Sequence, residues 1–166
     1  MSTFEDDRYR WRETYFVLFP AARRPTLKLM EERLTAINKR YGLSNLNADD
    51  DGRFESLTLI SPDDFAALDV CYTGGEEVLE QGADLVRELA PTTDPAQRPI
   101  LKRIRQYDGR FDVLHFEQVS ELPDDEDAED LLDPGALLAV LEELAKITGG
   151  VAIDPQSGTV LSEGEG

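Results

Sequence analysis

The sequence is short of the residues from which most metal and covalent catalytic sites are built. It contains one cysteine, Cys71, and one histidine, His115, in 166 residues. A single cysteine excludes an internal disulfide, and these two residues cannot supply the several Cys and His ligands of a structural zinc site. We therefore predict no structural zinc and no other cofactor, and the chain gains nothing from an oxidising compartment.

Catalytic signatures are also missing. There is no glycine-rich phosphate loop, no dinucleotide-binding glycine motif and no Gly-x-Ser-x-Gly elbow. A Cys–His dyad would require Cys71 beside His115 on neighbouring strands, but both lie in apolar segments, and we interpret Cys71 as a core thiol. The sequence therefore favours a non-enzymatic protein.

Long apolar runs and basic residues are scarce. No N-terminal stretch has the length of a signal peptide and no run approaches 18 apolar residues, so we expect a cytoplasmic protein without a membrane partner. Seventeen Lys and Arg stand against 35 Asp and Glu, a net charge of −18. Nucleic acid needs basic residues to neutralise its phosphates, which argues against it as a partner. The acidity suits solubility, attraction to a basic protein, or mimicry of nucleic acid.

The apolar segment 15–19 organises the predicted fold. Five consecutive aromatic and aliphatic residues precede Pro20, without the alternation of a half-buried strand. This pattern predicts a central strand that is covered on both faces. A C-terminal helix or a homodimer interface could supply the second cover.

The order of predicted elements gives an α+β fold. Strands are predicted at 13–19, 54–60, 68–72 and 111–116, with helices at 25–41, 76–89 and 95–104. This βαββαβ order over about 13–118 predicts a ferredoxin-like sheet, in which the first and third strands are central neighbours. A helix at 134–148 and a hairpin over 151–161 extend it. Residues 1–12 are predicted as a flexible N-terminus and 13–162 as one domain, interrupted by a mobile acidic loop at 119–133 with eight carboxylates and no base.

The turn at 47–54 resembles part of a calcium-binding loop. Asn47, Asp49, Asp51 and Gly52 occupy positions at which such loops place oxygen ligands and a sharp turn. The twelfth position, which should be a bidentate Glu, is Thr58, and a strand rather than a helix follows. We interpret the segment as an acidic hairpin turn.

Two groups of residues are candidate binding sites. In the predicted fold, Arg23 and Arg24 lie near the turn Thr73-Gly74-Gly75, where backbone N–H groups and guanidinium groups would suit an anionic ligand. The acidic Glu76 and Glu77 argue against that site.

The second group lies on the short helix, where Arg98, Lys102 and Arg105 are spaced to share one face. They would either pair with the chain's own carboxylates or dock a partner protein. The sequence thus favours an acidic protein-binding or regulatory module. The alternative is a small-molecule-binding domain or enzyme that uses the Arg23, Arg24, Gly74 and Gly75 edge.

Overall fold

The structure is a computed structural model that describes residues 9–118 and 135–164. These residues form an antiparallel sheet of seven strands: β1 (Tyr9–Phe19), β2 (Gly42–Ala48), β3 (Phe54–Ser61), β4 (Ala66–Gly74), β5 (Gly109–Gln118), β6 (Val151–Ile153) and β7 (Val160–Glu163). Four helices pack on the sheet: α1 (Leu27–Ile37), α2 (Glu76–Leu89), α3 (Arg98–Ile104) and α4 (Gly135–Thr148). The predicted acidic loop at 119–133 lies outside the described residues.

The α+β class is confirmed, but the strand order is not that of the predicted ferredoxin-like unit. The sheet runs β2-β3-β4-β5-β1-β6-β7. Strand β5 lies between β4 and β1 and pairs antiparallel with both, so β1 and β4 are not neighbours. The predicted parallel pair at the centre of the sheet is therefore wrong.

Strand β2 was not predicted. Its sequence, Gly-Leu-Ser-Asn-Leu-Asn-Ala, contains residues that are depleted in strands, and six of its seven residues are exposed. It forms one edge of the sheet and pairs with β3 alone. Asn45 has a positive φ of 52°, and the pairing register shifts between Ser44 and Asn47. An irregular, polar edge of this kind resists pairing with another strand.

Strand β1 begins earlier than predicted. Tyr9 already pairs with Gln118 of β5, so residues 9–12 belong to the sheet and not to a flexible N-terminus. Helix α1 begins and ends inside its predicted range. It begins at Leu27 because Thr26 caps the N-terminus by accepting a hydrogen bond from the Leu29 N–H at 3.1 Å. The helices α2 and α4 and the hairpin β6–β7 fall close to their predicted positions.

The prediction that β1 is covered on both faces is confirmed. Val17 and Phe19 are fully buried in a core between the sheet and the helices α1 and α4. Leu18 points to the other face and is buried in a second core with α2, α3 and β6. One strand thus joins the two cores because successive side chains point to opposite faces.

We expect Val17→Asp to unfold the protein, because it would place an unpaired charge in the first core at a cost of about 3–5 kcal/mol. Leu138→Asp is the matched control, since it adds the same charge in α4 at a residue that is 46% exposed. Urea denaturation of the two variants measures the difference. A Val17→Asp protein as stable as Leu138→Asp would contradict the central position of β1.

Candidate functional site

Helix α3 presents a basic face to solvent. Asp94 accepts a hydrogen bond from the Ala96 N–H at 3.0 Å and caps a 3₁₀ turn that leads into the helix. Leu101 and Ile104 are buried in the second core. Arg98, Lys102 and the C-cap residue Arg105 lie along one side of this segment, and all three are exposed. We call these three residues the α3 basic face.

The α3 basic face has no carboxylate within ion-pair distance among residues 9–118 and 135–164. Most other arginines of the described chain do form ion pairs. Examples are Arg10 and Arg12 with Glu117, Arg33 with Glu143, Arg40 with Asp63, and Arg110 with Asp112. The expectation that the three cations pair with the chain's own carboxylates is thus not met within these residues.

Arg103 on the same helix has a different role. Its side chain is 24% exposed and pairs with Glu163. Its Nη2 donates to the carbonyl oxygens of Gly149 and Gly164 at 2.9 and 3.0 Å, and its Nε donates to the Tyr107 hydroxyl at 2.9 Å. These bonds fix α3 to the end of α4 and to the chain that follows β7, so Arg103 holds the helix in position.

The candidate anion site is arranged differently from the prediction. The C-terminal ends of β1 and β4 lie at the same edge of the sheet, but β5 separates them, and Gly109 pairs with both Phe19 and Gly74. Between them lies Asp108, whose carbonyl oxygen accepts from the Gly75 N–H at 2.9 Å and whose carboxylate accepts from the Ala21 N–H at 2.7 Å. Asp108 therefore already accepts hydrogen bonds from backbone N–H groups that could otherwise bind an anionic ligand.

The side chain of Arg24 also contacts groups of its own chain. Its guanidinium carbon lies 4.1 Å from the centre of the Tyr72 ring, and its Nε donates to the Phe54 carbonyl oxygen at 2.7 Å. Its Nη1 lies 3.4 Å from Asp49. Arg23 and Thr73 lie at the same edge; Arg23 is exposed and Thr73 is half-buried.

The turn at 47–54 is a hairpin turn that Asp49 stabilises. One carboxylate oxygen of Asp49 accepts from the backbone N–H groups of Asp51 and Arg53, each at 2.9 Å. The Arg53 N–H, followed by the Asp51 N–H and the Arg24 and Arg53 guanidinium groups, holds the pKa of Asp49 below its usual value. Gly52 adopts φ 81°, which permits the tight turn. These bonds support the interpretation as a hairpin.

A cleft of about 490 Å³ lies beside this edge, between the end of β1 and the end of α3. Arg23, Arg103, Gln106 and Tyr107 line it with Pro20 and Gly149. Its two guanidinium groups would attract an anion, but four of the five N–H donors of Arg103 already bond to protein atoms. The cleft does not form a site with convergent donors.

His115 lies buried on the sheet face that α1 and α4 cover. The residue is 1% exposed, and neither ring nitrogen has a hydrogen-bond partner among the residues that the structure describes. Glu13 is the nearest carboxylate, at 3.8 Å from Nδ1, and it also accepts a hydrogen bond from the Tyr15 hydroxyl at 2.6 Å. Burial lowers the pKa of His115, and Glu13 opposes that shift. The imidazole is therefore held neutral at physiological pH.

Cys71 was predicted to lie in the core and is instead exposed. It pairs with Asp112 of β5, whereas His115 pairs with Leu68 of β4. Because residues 68 and 71 point to opposite faces of the strand, the sheet separates the thiol from the imidazole. Partial desolvation of the thiol, with Asp69 and Asp112 nearby, raises the pKa of Cys71, which disfavours a reactive thiolate.

Neither metal ligands nor membrane spans are recognised in the described part of the chain. No group of three or more His, Cys, Asp or Glu side chains there could hold a metal ion. No described helix has the length and apolar character to span a membrane. No protein-family model matches the sequence, and no curated protein or solved structure is significantly similar to it. The function must therefore be inferred from the geometry of the chain itself.

Replacing Arg103 should destabilise the fold far more than replacing its exposed neighbour. We expect Arg103→Gln to lower the free energy of unfolding by about 2–3 kcal/mol, because it leaves two carbonyl oxygens and Glu163 without their charged donor. Arg105→Gln removes the same charge from the exposed C-cap of that helix and should change the free energy of unfolding by less than about 0.5 kcal/mol. Chemical denaturation measures both, and equal effects would show that Arg103 does not anchor α3.

The buried His115 should make stability fall with pH below its ordinary pKa. Its folded-state pKa is depressed, so the unfolded chain binds the proton more readily, and the stabilisation that exists above about pH 6.5 is lost as the pH falls. Between pH 7.5 and 5.5 we expect wild type to lose up to about 1.4 kcal/mol relative to His115→Gln. Carboxylate titration is common to both proteins and cancels in this comparison. Parallel urea curves across that range would show that burial does not hold the imidazole neutral.

Proposed function

We propose that this protein is a non-enzymatic module that binds another protein chain through the α3 basic face. The observation that carries the proposal is the exposure of Arg98, Lys102 and Arg105 without a carboxylate partner in the described part of a chain with net charge −18. A chain so rich in acids has many ways to neutralise a cation internally. Three cations on one short helix that remain without such a partner are suited to an intermolecular contact.

The chemistry of the partner surface follows from that of the face. The three cations occupy spacings of four and three residues, so they cluster within about two helical turns, roughly 11 Å along the axis. Guanidinium and ammonium groups in this arrangement bind carboxylates through charge-assisted hydrogen bonds. Nucleic acid also carries anions, but the net charge of −18 would repel its long phosphate array. The proposal therefore commits to an acidic protein surface.

The alternative, an anion site at Arg23, Arg24, Thr73, Gly74 and Gly75, is less favoured. Asp108 accepts the Gly75 N–H, and Arg24 bonds to Phe54 and lies beside Asp49. A ligand there would have to displace these contacts and tolerate the carboxylate of Asp108. Mimicry of nucleic acid would use the acids of 119–133, which lie outside the described residues.

Capture from host lysate tests the proposal with two variants of equal net charge. The first changes Arg98, Lys102 and Arg105 to Gln. The second changes the exposed Lys28, Lys39 and Lys146 to Gln and is the matched control. We expect wild type and the control to retain a partner that the first variant loses, and that partner to dissociate as salt is raised.

Melting curves of the three proteins should coincide, since exposed charges contribute about 0–1 kcal/mol each. The same partners captured by both triple variants would contradict a docking role for the α3 basic face. A binding loss in the control alone would assign the contact to another surface.

A further inference from the structure

We infer that the partner of the α3 basic face is a second copy of this chain, bound through the acidic outer side of α2; the inference rests on the proposed function. Four acidic residues recur along α2 at four-residue steps: Glu76, Glu80, Asp84 and Glu88. All four are exposed. A four-residue step keeps side chains on one side of a helix, so they form a single stripe. We call it the α2 acidic stripe.

The basic face and the acidic stripe belong to adjoining helices. A Cβ at Gly82 of α2 would lie 3.3 Å from the carbonyl oxygen of Ile104 in α3, so the absent side chain permits a close approach. Val78 and Val86 of α2 share the second core with Leu101 and Ile104 of α3. Both helices bury residues in that core, and the charged residues of both surfaces are exposed.

The two charged surfaces do not neutralise each other within one chain. Among residues 9–118 and 135–164, no ion pair joins α2 to α3; Asp84 pairs with Arg87 of its own helix, and Arg103 of α3 pairs with Glu163. Glu76, Glu80 and Glu88 have no cation partner in that part of the chain. Within the described residues each surface therefore lacks a partner of opposite charge, although α2 and α3 adjoin each other.

An arrangement of this kind is self-complementary under a twofold axis. When one copy is rotated by 180° onto another, the basic α3 of each can lie on the acidic α2 of its partner, and the contact occurs twice. Isologous contacts of this type are the commonest in homo-oligomers. An unrelated acidic protein would be complementary to the α3 basic face alone, whereas a second copy of this chain is complementary to both surfaces.

The overall charge of −18 opposes association, but this repulsion acts over longer distances than the attraction between the two charged surfaces in contact. At an ionic strength of about 0.15 M the Debye length is about 8 Å, so most carboxylates of one copy are screened from those of the other. The juxtaposed stripes would act within a few ångströms, where screening is weaker. The test is therefore made at that ionic strength, at which the local complementarity outweighs the net repulsion.

Charge-swap complementation tests the inference directly. One variant, R98E/K102E/R105E, makes α3 acidic, and the other, E80K/D84K/E88K, makes α2 basic. In each variant alone the facing stripes carry like charge, so we expect monomers of 18.6 kDa. When the two are mixed, both contacts of the twofold pair regain opposite charges. We expect the mass measured by sedimentation to double in the mixture and in concentrated wild type.

A control mixture pairs E80K/D84K/E88K with K28E/K39E/K146E, which carries the same added charge away from α3. Because K28E/K39E/K146E keeps both charged surfaces, it should dimerise with itself, whereas E80K/D84K/E88K, followed by a fluorescent label, should stay monomeric in that mixture. Circular dichroism melts verify that each variant is folded. If a swapped variant melts early, the corresponding Gln variants take its place, and the expected result is loss of the wild-type dimer. A monomeric mixture together with monomeric wild type would overturn the inference.

That failure is distinguishable from failure of the proposed function. Monomeric wild type that still captures a lysate protein through the α3 basic face would refute the second copy and leave the docking role intact. A wild-type dimer that R98Q/K102Q/R105Q retains would refute the α3–α2 contact, and lysate capture by that variant would decide the docking role separately.

Discussion

The fold depends on the burial of β1 between two hydrophobic cores. Val17 and Phe19 pack under α1 and α4, and Leu18 packs under α2 and α3. The strand also pairs with β5 on one side and β6 on the other, so it joins the larger part of the sheet to its C-terminal hairpin. Because both helical layers contact this one strand, the placement of α3 and its charged face depends on it.

The two sides of α3 serve separate purposes. Leu101, Ile104 and Arg103 anchor the helix from inside: the first two by burial and the third by its bonds to Gly149, Gly164 and Glu163. A helix of seven residues is too short to be stable alone, so these contacts are needed to keep it ordered. Its outer side contributes little to that stability and can be used for binding. This division explains why, within residues 9–118 and 135–164, Arg103 forms an ion pair and the exposed cations beside it do not.

Several features were predictable because they depend on local patterns. The apolar run at 15–19 correctly indicated a strand covered on both faces, and the three cations Arg98, Lys102 and Arg105 are exposed on α3 and at its C-cap. The apolar stripe of α4 was likewise visible, because a helix repeats its buried positions every three or four residues.

Other features depend on which segments meet, and the sequence pattern does not determine this. The insertion of β5 between β4 and β1 changed the strand order and brought Asp108 into the predicted anion site. Strand β2 is polar and irregular because it lies at an exposed edge, so it carries no strand signal. The four-residue period of the α2 acidic stripe is visible in the sequence, but only the close approach of Gly82 to Ile104 shows that the helix carrying it adjoins α3.

The central claim is that the cations of α3 are paired between chains and not within one. Carbodiimide cross-linking of an equal mixture of ¹⁴N- and ¹⁵N-labelled protein tests it most directly, because Lys102 is the one lysine of α3. Cross-linked peptides that combine the two labels come from different chains. The account predicts mixed-label links from Lys102 to Glu80 or Asp84. Links from Lys102 that carry a single label throughout would show that its carboxylate partner belongs to the same chain and would contradict the account.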